Sequence, residues 1–185
     1  MIWRVLTFTC AGALSKIAVI LGKMQRLLLL PIIMPTLVEA EPKLPFANSD
    51  FESGDLSNWI IEGNAFDSNP FERQPDANDQ RVHGTMQGDF CAHSGMHGDY
   101  RTGSLTSIAF TIDHDYLSFR IAGGVHPGTR IELLVKGEAV KDCSGIENWM
   151  LKANYFDLSE WRGQSAQIRI VDEVEAPWGY IVADD

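Results

Sequence analysis

Residues 116–141 read YLSFRIAGGVHPGTRIELLVKGEAVK, and this stretch decides the fold class. From Tyr116 to Ile121 apolar and polar side chains alternate, which is typical of a strand with one buried face. Two further apolar runs, 130–135 and 139–141, flank Lys136-Gly137-Glu138, where the glycine can take the positive φ that a hairpin turn requires. The stretch therefore predicts antiparallel strands joined by tight turns.

Similar short runs continue at roughly ten-residue spacing, each bounded by Gly, Asp, Asn or Pro. They are Thr106–Ile112, Trp149–Phe156, Gln167–Val171 and Gly179–Ala183. No sustained helical periodicity occurs after residue 40, and the one helical candidate is a single turn at Asp157–Trp161. We therefore predict an all-β fold, an antiparallel jelly-roll β-sandwich. The polar segment 64–88 is predicted to be a long loop across one end of the sandwich.

The first forty residues differ in composition from the rest: they contain four basic residues, one acid and many Leu, Ile, Val and Met. From Met24 they follow the pattern of a secretory signal, with a basic start at 25–26, an apolar core at 27–37 and a small-x-small cleavage site at 38–40. We therefore predict a signal segment over residues 1–40 and a single-domain module over 41–185. The module is expected to be secreted, periplasmic or at the cell surface, and either Met1 or Met24 can be the start.

A membrane anchor is the alternative for this N-terminal segment. Its apolar core at 27–37 is shorter than the stretch of about 20 residues that a spanning helix needs, and Pro31 and Pro35 interrupt it. The signal segment is therefore the preferred interpretation, and no stable membrane insertion is expected after processing.

Charge and cysteine content limit the partners. The chain carries 15 Lys and Arg against 25 Asp and Glu, a formal net charge of −10, and loss of the N-terminal segment would leave about −13. Nucleic acid is an improbable partner, because phosphates require a basic surface. Cys91 and Cys143 would remain after cleavage, and an oxidising compartment permits a disulfide. The sequence does not decide between that disulfide and two buried thiols.

Several segments, taken in order, resemble a known module. They are Phe51–Trp59, Glu62–Phe66, Gly98–Ser107, Phe110–Asp113, Ile121–Gly124, Asp157–Gly163, Ile168–Asp172 and Trp178–Asp185. This series resembles the galactose-binding-like jelly-roll module of secreted family 32 glycoside hydrolases of the levanase and β-fructosidase type, and it covers nearly all of residues 46–185. The usual Trp-Gly-His is Trp178-Gly-Tyr180 here.

The resemblance implies a non-catalytic carbohydrate-binding module, with fructan as an expected polymer. The catalytic signatures of the family, Asn-Asp-Pro-Asn, Arg-Asp-Pro and Glu-Cys-Pro, do not occur in the chain. We therefore expect no active site in this chain, which would be an accessory module without its catalytic domain. The alternatives are a protein-interaction or structural module of a cell-surface assembly, and the N-terminal fragment of a levanase-like hydrolase.

The candidate ligand-binding residues combine aromatic rings with polar groups, because a sugar presents an apolar C–H face and several hydroxyls. They are His93, Asp99, Tyr100, Arg101, His126, Trp178 and Tyr180. Other tryptophans, Trp59, Trp149 and Trp161, are expected in the core or as loop anchors. Zinc on His93, His97 and Asp99 is disfavoured, since the neighbouring glycines oppose a helix that would align the ligands.

A structural Ca²⁺ is the expected cofactor. In jelly rolls of this kind the first and last strands are neighbours, so Glu52 of the Phe-Glu-x-Gly opening and Asp184 of the Asp-Asp ending can share one cation with backbone carbonyls. Such an ion would connect the two ends of the module. The alternative is that Glu52 is an exposed turn residue.

Overall fold

The structure, a computed structural model, describes residues 43–74 and 80–185. These residues form eleven strands, one short α-helix and two 3-10 turns, at Ser94–His97 and Ser159–Trp161. The strands are β1 (Trp59–Gly63), β2 (Phe71–Glu72), β3 (Phe90–His93), β4 (Gly103–Ser107), β5 (Phe110–Thr111), β6 (Tyr116–Gly123), β7 (Thr129–Val135), β8 (Glu138–Ser144), β9 (Asn148–Asp157), β10 (Ser165–Asp172) and β11 (Ile181–Asp184), and the helix is α1 (Gln80–His83).

The strands form two antiparallel sheets. The first sheet has the order β1-β4-β10-β7-β8, with β5 also paired to β10, and the second has the order β2-β3-β11-β6-β9. Neighbours in each sheet are mostly distant in sequence, as expected of a jelly roll. The predicted fold class is therefore confirmed.

The main core lies between the two sheets. Alternate residues of the central strands supply it, among them Leu105, Leu133, Ile170 and Ile181, all of which are almost fully buried. The opening segment also belongs to it, because the Phe51 ring stacks on Trp59 at a centroid distance of 5.0 Å. Trp59 is a core residue, as predicted.

The predicted hairpin joins β7 to β8. Lys136 and Gly137 both have positive φ, 56° and 83°, which is the two-residue turn whose twist matches that of the flanking strands. The predicted helical turn is also present as a 3-10 turn at Ser159–Trp161, and the Asp157 carboxylate accepts a hydrogen bond from Ser159 N at 3.0 Å. Both features follow from local sequence.

The run Thr106–Ile112 differs from the prediction, because it is two strands rather than one. Both β4 and β5 pair with β10, but the register shifts by one residue between them. At this bulge the Ser107 side chain replaces the backbone as acceptor, receiving Ile168 N at 2.9 Å. The extra residue is therefore accommodated without leaving that N–H unpaired.

The expected position of segment 64–88 is wrong for its second half. Instead of crossing an end of the sandwich, the part from α1 to residue 88 lies on the outer face of the second sheet. Val82 and Met86 pack there with Cys91, Leu151 and other apolar residues in a second buried cluster. Two apolar side chains four residues apart thus hold this otherwise polar segment on the sheet, together with hydrogen bonds of Thr85 and Gln87 to the strands.

Two other expectations concern the remaining chain. Cys91 and Cys143 are both free thiols, the first in the second cluster and the second beside the main core. The predicted signal segment at 1–40 lies outside the described residues, so it stays a prediction. Within residues 43–74 and 80–185, none of the helices has the length and apolar character to cross a bilayer.

Candidate functional site

One end of the sandwich gathers the predicted ligand-binding residues. Strands β3, β6, β8 and β10 all end here, and the connections at 94–102, 124–128, 145–147 and 173–180 form its surface. These connections touch one another: Gly124 N donates to Tyr180 O at 3.0 Å, and a Cβ on Gly145 would lie 2.5 Å from Gly123 O. We call this surface the loop end.

Trp178 is held at the loop end by its backbone. Its φ of 64° lies in the left-handed region, which an aromatic residue rarely adopts, and the Asp99 carboxylate accepts a hydrogen bond from its N–H at 2.9 Å. Gly124 allows the loop to approach, since a Cβ there would lie 1.9 Å from Trp178 O. Asp99 and Gly124 thus hold Trp178 in an energetically unfavourable backbone conformation, and this conformation sets the position of the indole.

His126 lies beside the same loop. Its Nε2 is 3.3 Å from Pro177 O, and its own carbonyl accepts hydrogen bonds from the Thr129 and Ser144 hydroxyls. Since the ring is half-exposed, it presents a polar edge next to Trp178.

Tyr180 and His93 lie beneath this surface. Tyr180 is 1% exposed, and its ring stacks on His93, Trp149 and Trp178 at centroid distances of 5.7, 4.9 and 5.8 Å. Burial lowers the pKa of His93 to about 4, with a smaller contribution from His83, and its Nδ1 accepts Gly95 N at 3.0 Å. Both side chains therefore lie beneath the site, where they pack against and support the residues of its surface, and do not form that surface themselves.

Tyr100 and Arg101 are more accessible. Tyr100 is 64% exposed and Arg101 is half-buried. Among the described residues, the Arg101 guanidinium has no hydrogen-bond or ion-pair partner. Tyr100 and Arg101 directly follow Asp99, the residue that positions Trp178. They therefore place an exposed aromatic ring and the N–H donors of a guanidinium next to it in the chain.

Sequence reasoning missed part of the loop end. Trp149, expected to be an anchor, is half-exposed and lies 5.3 Å from Trp178 between ring centroids. Val125 and Ile146 are 54% and 59% exposed in the adjoining turns. Both residues directly follow a glycine in a turn segment. Because turns usually contain few apolar residues, this position could have indicated that they are exposed at the site.

A buried carboxylate lies at the base of the loop end. Asp172 ends β10, is 1% exposed, and accepts Val174 N at 3.3 Å. Burial raises the pKa of Asp172; hydrogen bonds from Ser94 and Val174 oppose this rise, the nearby Asp99 carboxylate adds to it, and the net pKa is about 6. Asp172 was not predicted as a site residue.

His97, which was considered with His93 and Asp99 for the disfavoured zinc site, pairs with a different carboxylate. Its Nε2 lies 2.8 Å from the Asp67 carboxylate, in an exposed pair away from His93. In the part of the chain that the structure describes, no three His, Cys, Asp or Glu side chains converge as a metal site.

The predicted cation residues, Glu52 and Asp184, both contact the segment that leads into β3. The Glu52 carboxylate accepts Asp89 N and Phe90 N at 2.9 to 3.0 Å, and Asp184 Oδ2 accepts Gln87 N at 2.7 Å. Asp184 Oδ1 is buried and has no hydrogen-bond partner. Burial, with smaller contributions from Asp185 and Glu52, raises the pKa of Asp184 to about 7. An orphaned carboxylate oxygen near a second carboxylate fits a hard cation such as Ca²⁺.

Comparisons with known proteins place this geometry in context. No protein-family model matches the chain. Among curated proteins it is similar to ecdE of Aspergillus rugulosus, a proposed glycosyl hydrolase, with 33% identity over 140 residues that cover 73% of this chain and 20% of ecdE. The chain thus spans one fifth of the length of that relative. The similarity to a proposed glycosyl hydrolase is confirmed, whereas assignment to family 32 stays a prediction.

Two solved structures share the fold. TmCBM61, solved in complex with β-1,4-galactotriose, matches with a TM-score of 0.53 and 18% identity over 78% of this chain and 96% of its own. A cyclase from Fischerella sp. TAU matches with a TM-score of 0.51 and 16% identity over 76% and 92%. At these identities the likeness shows the fold alone.

Proposed function

We propose that the chain is a non-catalytic carbohydrate-binding module whose ligand binds at the loop end. The observation that carries this proposal is the grouping of accessible aromatic and polar side chains there, with Trp178 and Tyr100 beside Arg101 and His126 on loops fixed by the jelly roll. An apolar surface with a few placed polar groups is the usual composition of a small-molecule site.

Each accessible residue has a distinct role in this proposal. The Trp178 indole stacks against the C–H face of a sugar ring, and the backbone bond to Asp99 holds the indole in place. Arg101 donates to sugar hydroxyls, and His126 either donates or accepts. Asp99 is therefore a positioning residue, while Tyr180 and His93 support the indole from below.

The comparisons support carbohydrate as the ligand class. TmCBM61 was solved with β-1,4-galactotriose, and the curated relative is a proposed glycosyl hydrolase. We propose a neutral polysaccharide, with fructan favoured by the resemblance and β-1,4-galactan by the structural neighbour. A net charge of −10 disfavours polyanionic ligands. In a longer secreted hydrolase, such a module would raise the effective concentration of substrate near the catalytic domain.

The test is affinity electrophoresis of the full chain through gels that contain levan, inulin, β-1,4-galactan or an unrelated polymer. We expect retardation in one of the first three gels, and loss of that retardation in Trp178→Ala and Arg101→Ala. Ile60→Ala is the matched control, because Ile60 is 56% exposed on the first sheet, away from the loop end. Unretarded migration of folded wild-type protein in every gel would reject the proposal and favour the protein-interaction module.

We also propose that Ca²⁺ binds Glu52 and Asp184 in a structural role. The support is the orphaned Oδ1 of Asp184 and the contact of both carboxylates with the segment that leads into β3. A bound cation would stabilise the charged form of Asp184 and hold the opening segment to the last strand. Backbone carbonyls would complete the six to eight oxygens that Ca²⁺ prefers.

A further inference from the structure

A second aromatic surface lies far from the loop end. Tyr116 begins β6 and Tyr155 lies near the end of β9, and their rings contact edge to face with centroids 5.7 Å apart. Each is 62% exposed. The loop end begins seven residues further along β6, at Gly123, which corresponds to about 23 Å of strand.

Both tyrosines lie on the outer face of the second sheet. Phe119 and Ile121 of β6 point into the main core, so the alternate residues Tyr116, Ser118 and Arg120 point outward. Tyr155 pairs directly with Ser118 across the ladder. The two rings are therefore diagonal neighbours on one face, which explains their contact.

A small residue lies between this pair and the covered half of the same face, and we call the space above it the notch. Ala153 lies opposite Arg120, between Tyr155 and Leu151, and its small side chain is exposed. Leu151 is buried under the segment from α1 to residue 88, and its N–H donates to the Thr85 hydroxyl at 2.9 Å. On one side of Ala153 the covering segment, which ends at residue 88, forms a step on the face, and on the other side lies the ring of Tyr155.

Polar groups line the floor of the notch. The Ser118 hydroxyl is exposed beside Tyr155, and Arg120 is half-buried opposite Ala153. The Gln87 amide lies beside the Arg120 guanidinium, and in the orientation that turns its oxygen toward β6 it accepts from Nε at 3.0 Å. A hydroxyl, an amide and a guanidinium next to an exposed ring match the groups of a sugar, and Asp157 opposite Tyr116 disfavours an anionic polymer.

We propose that this face, formed by Tyr116, Tyr155, Ala153, Ser118, Arg120 and Gln87, is a second binding surface for a neutral polysaccharide chain. A sugar ring stacks on Tyr155 and extends over Ala153, and its hydroxyls meet Ser118 and Arg120. This inference rests on the proposed function, since it assumes a carbohydrate ligand. Because the loop end is distant, a long polymer binds with avidity while a short oligosaccharide occupies one surface at a time.

Two variants test the surface from opposite directions. Tyr155→Ala removes the ring, and Ala153→Phe fills the notch while leaving the ring in place. Tyr155→Phe keeps the stacking face and is the matched control, together with Ile60→Ala on the other sheet. The three positions of these four variants are all exposed, so folding is expected to be retained and is checked by thermal unfolding.

The probe is the polymer among levan, inulin and β-1,4-galactan that retards the wild-type full chain. We expect Tyr155→Ala and Ala153→Phe to weaken apparent polymer affinity by about tenfold or more, since two linked sites gain roughly 10²–10⁴-fold in avidity. The two controls should migrate as wild type.

The outcomes separate this inference from the proposed function. If the wild type is retarded, and Tyr155→Ala and Ala153→Phe are retarded equally, the second surface is refuted while the proposed function stands. If Trp178→Ala retains binding but Tyr155→Ala loses it, the face is the main site and the loop end is not. If no polymer retards folded wild-type protein, both proposals are overturned.

Discussion

Replacing Asp172 by Asn should make the protein more stable at neutral pH and alter its response to acid. Asp172 is buried at the base of the loop end, where burial and the nearby Asp99 carboxylate raise its pKa from 3.8 to about 6. Asn has the same shape, still accepts Val174 N, and carries no charge. The substitution therefore removes a charge that is costly to bury. The Asn amide nitrogen takes the place of Asp172 Oδ2, which has no hydrogen-bond partner among the described residues.

The magnitude follows from the difference in pKa between the folded and unfolded states. Since the folded protein holds the proton more tightly, its stability is highest below pH 4 with respect to this group and decreases as the pH rises from 4 to 6. A folded pKa of about 6 and an unfolded pKa of about 3.9 differ by an amount that corresponds to about 3 kcal/mol. Above pH 6, the ionised Asp172 therefore lowers the free energy of unfolding by about 3 kcal/mol.

Urea unfolding between pH 4 and pH 8 measures this effect. The free energy of unfolding of Asp172→Asn minus that of the wild type should increase by about 3 kcal/mol from pH 4 to pH 7 and then stay constant. Titrating groups that do not interact with Asp172, including Asp184, change both proteins alike and cancel. A difference that is flat with pH would refute the reasoning, because Asp172 would then titrate similarly in the folded and unfolded chains.

Two further predictions concern other charged groups. Millimolar Ca²⁺ should raise the thermal unfolding midpoint of the wild type at pH 7.5, and Asp184→Asn should abolish that rise; equal midpoints in Ca²⁺ and in chelator would contradict the cation proposal. Glu132 is buried on the first sheet between Arg130 and Arg169, each 2.6 Å away. Glu132→Gln should lower the free energy of unfolding by about 1–3 kcal/mol, because two guanidinium groups lose their charged acceptor. Glu138→Gln, exposed on β8, should change it little in the same urea titration.

Local sequence patterns predicted much of the fold, because each pattern directly determines a local structure. Alternation at 116–121 placed β6 with one face in the core, and the glycine at 137 placed the β7–β8 turn. The strands β1 and β3 were not predicted. Only Trp59 of β1 is buried, and β3 has four residues, so neither presents enough alternation to be recognised.

The candidate sites were predictable to different degrees. Glycine-rich segments with aromatic and polar residues indicated Asp99, Tyr100, Arg101 and Trp178, which the fold brings to one end. Burial of Tyr180 depends on its contacts with His93, Trp149 and Trp178, which come from separate parts of the chain, and that information is not local. The Tyr116–Tyr155 contact depends on the β6–β9 register, which pairs residues almost forty positions apart in the chain.

The pairing of Trp149 with Trp178 has an optical consequence. Their ring centroids are 5.3 Å apart and their planes are inclined by 49°, so the two indole transitions couple in a chiral arrangement. Such a pair produces an exciton couplet in circular dichroism whose amplitude depends steeply on the separation and angle of the rings. One tryptophan belongs to β9 and the other to the loop before β11, so the couplet reports on the geometry of the loop end without any label. The couplet thus measures the relative position of two indoles at the surface where we place the sugar.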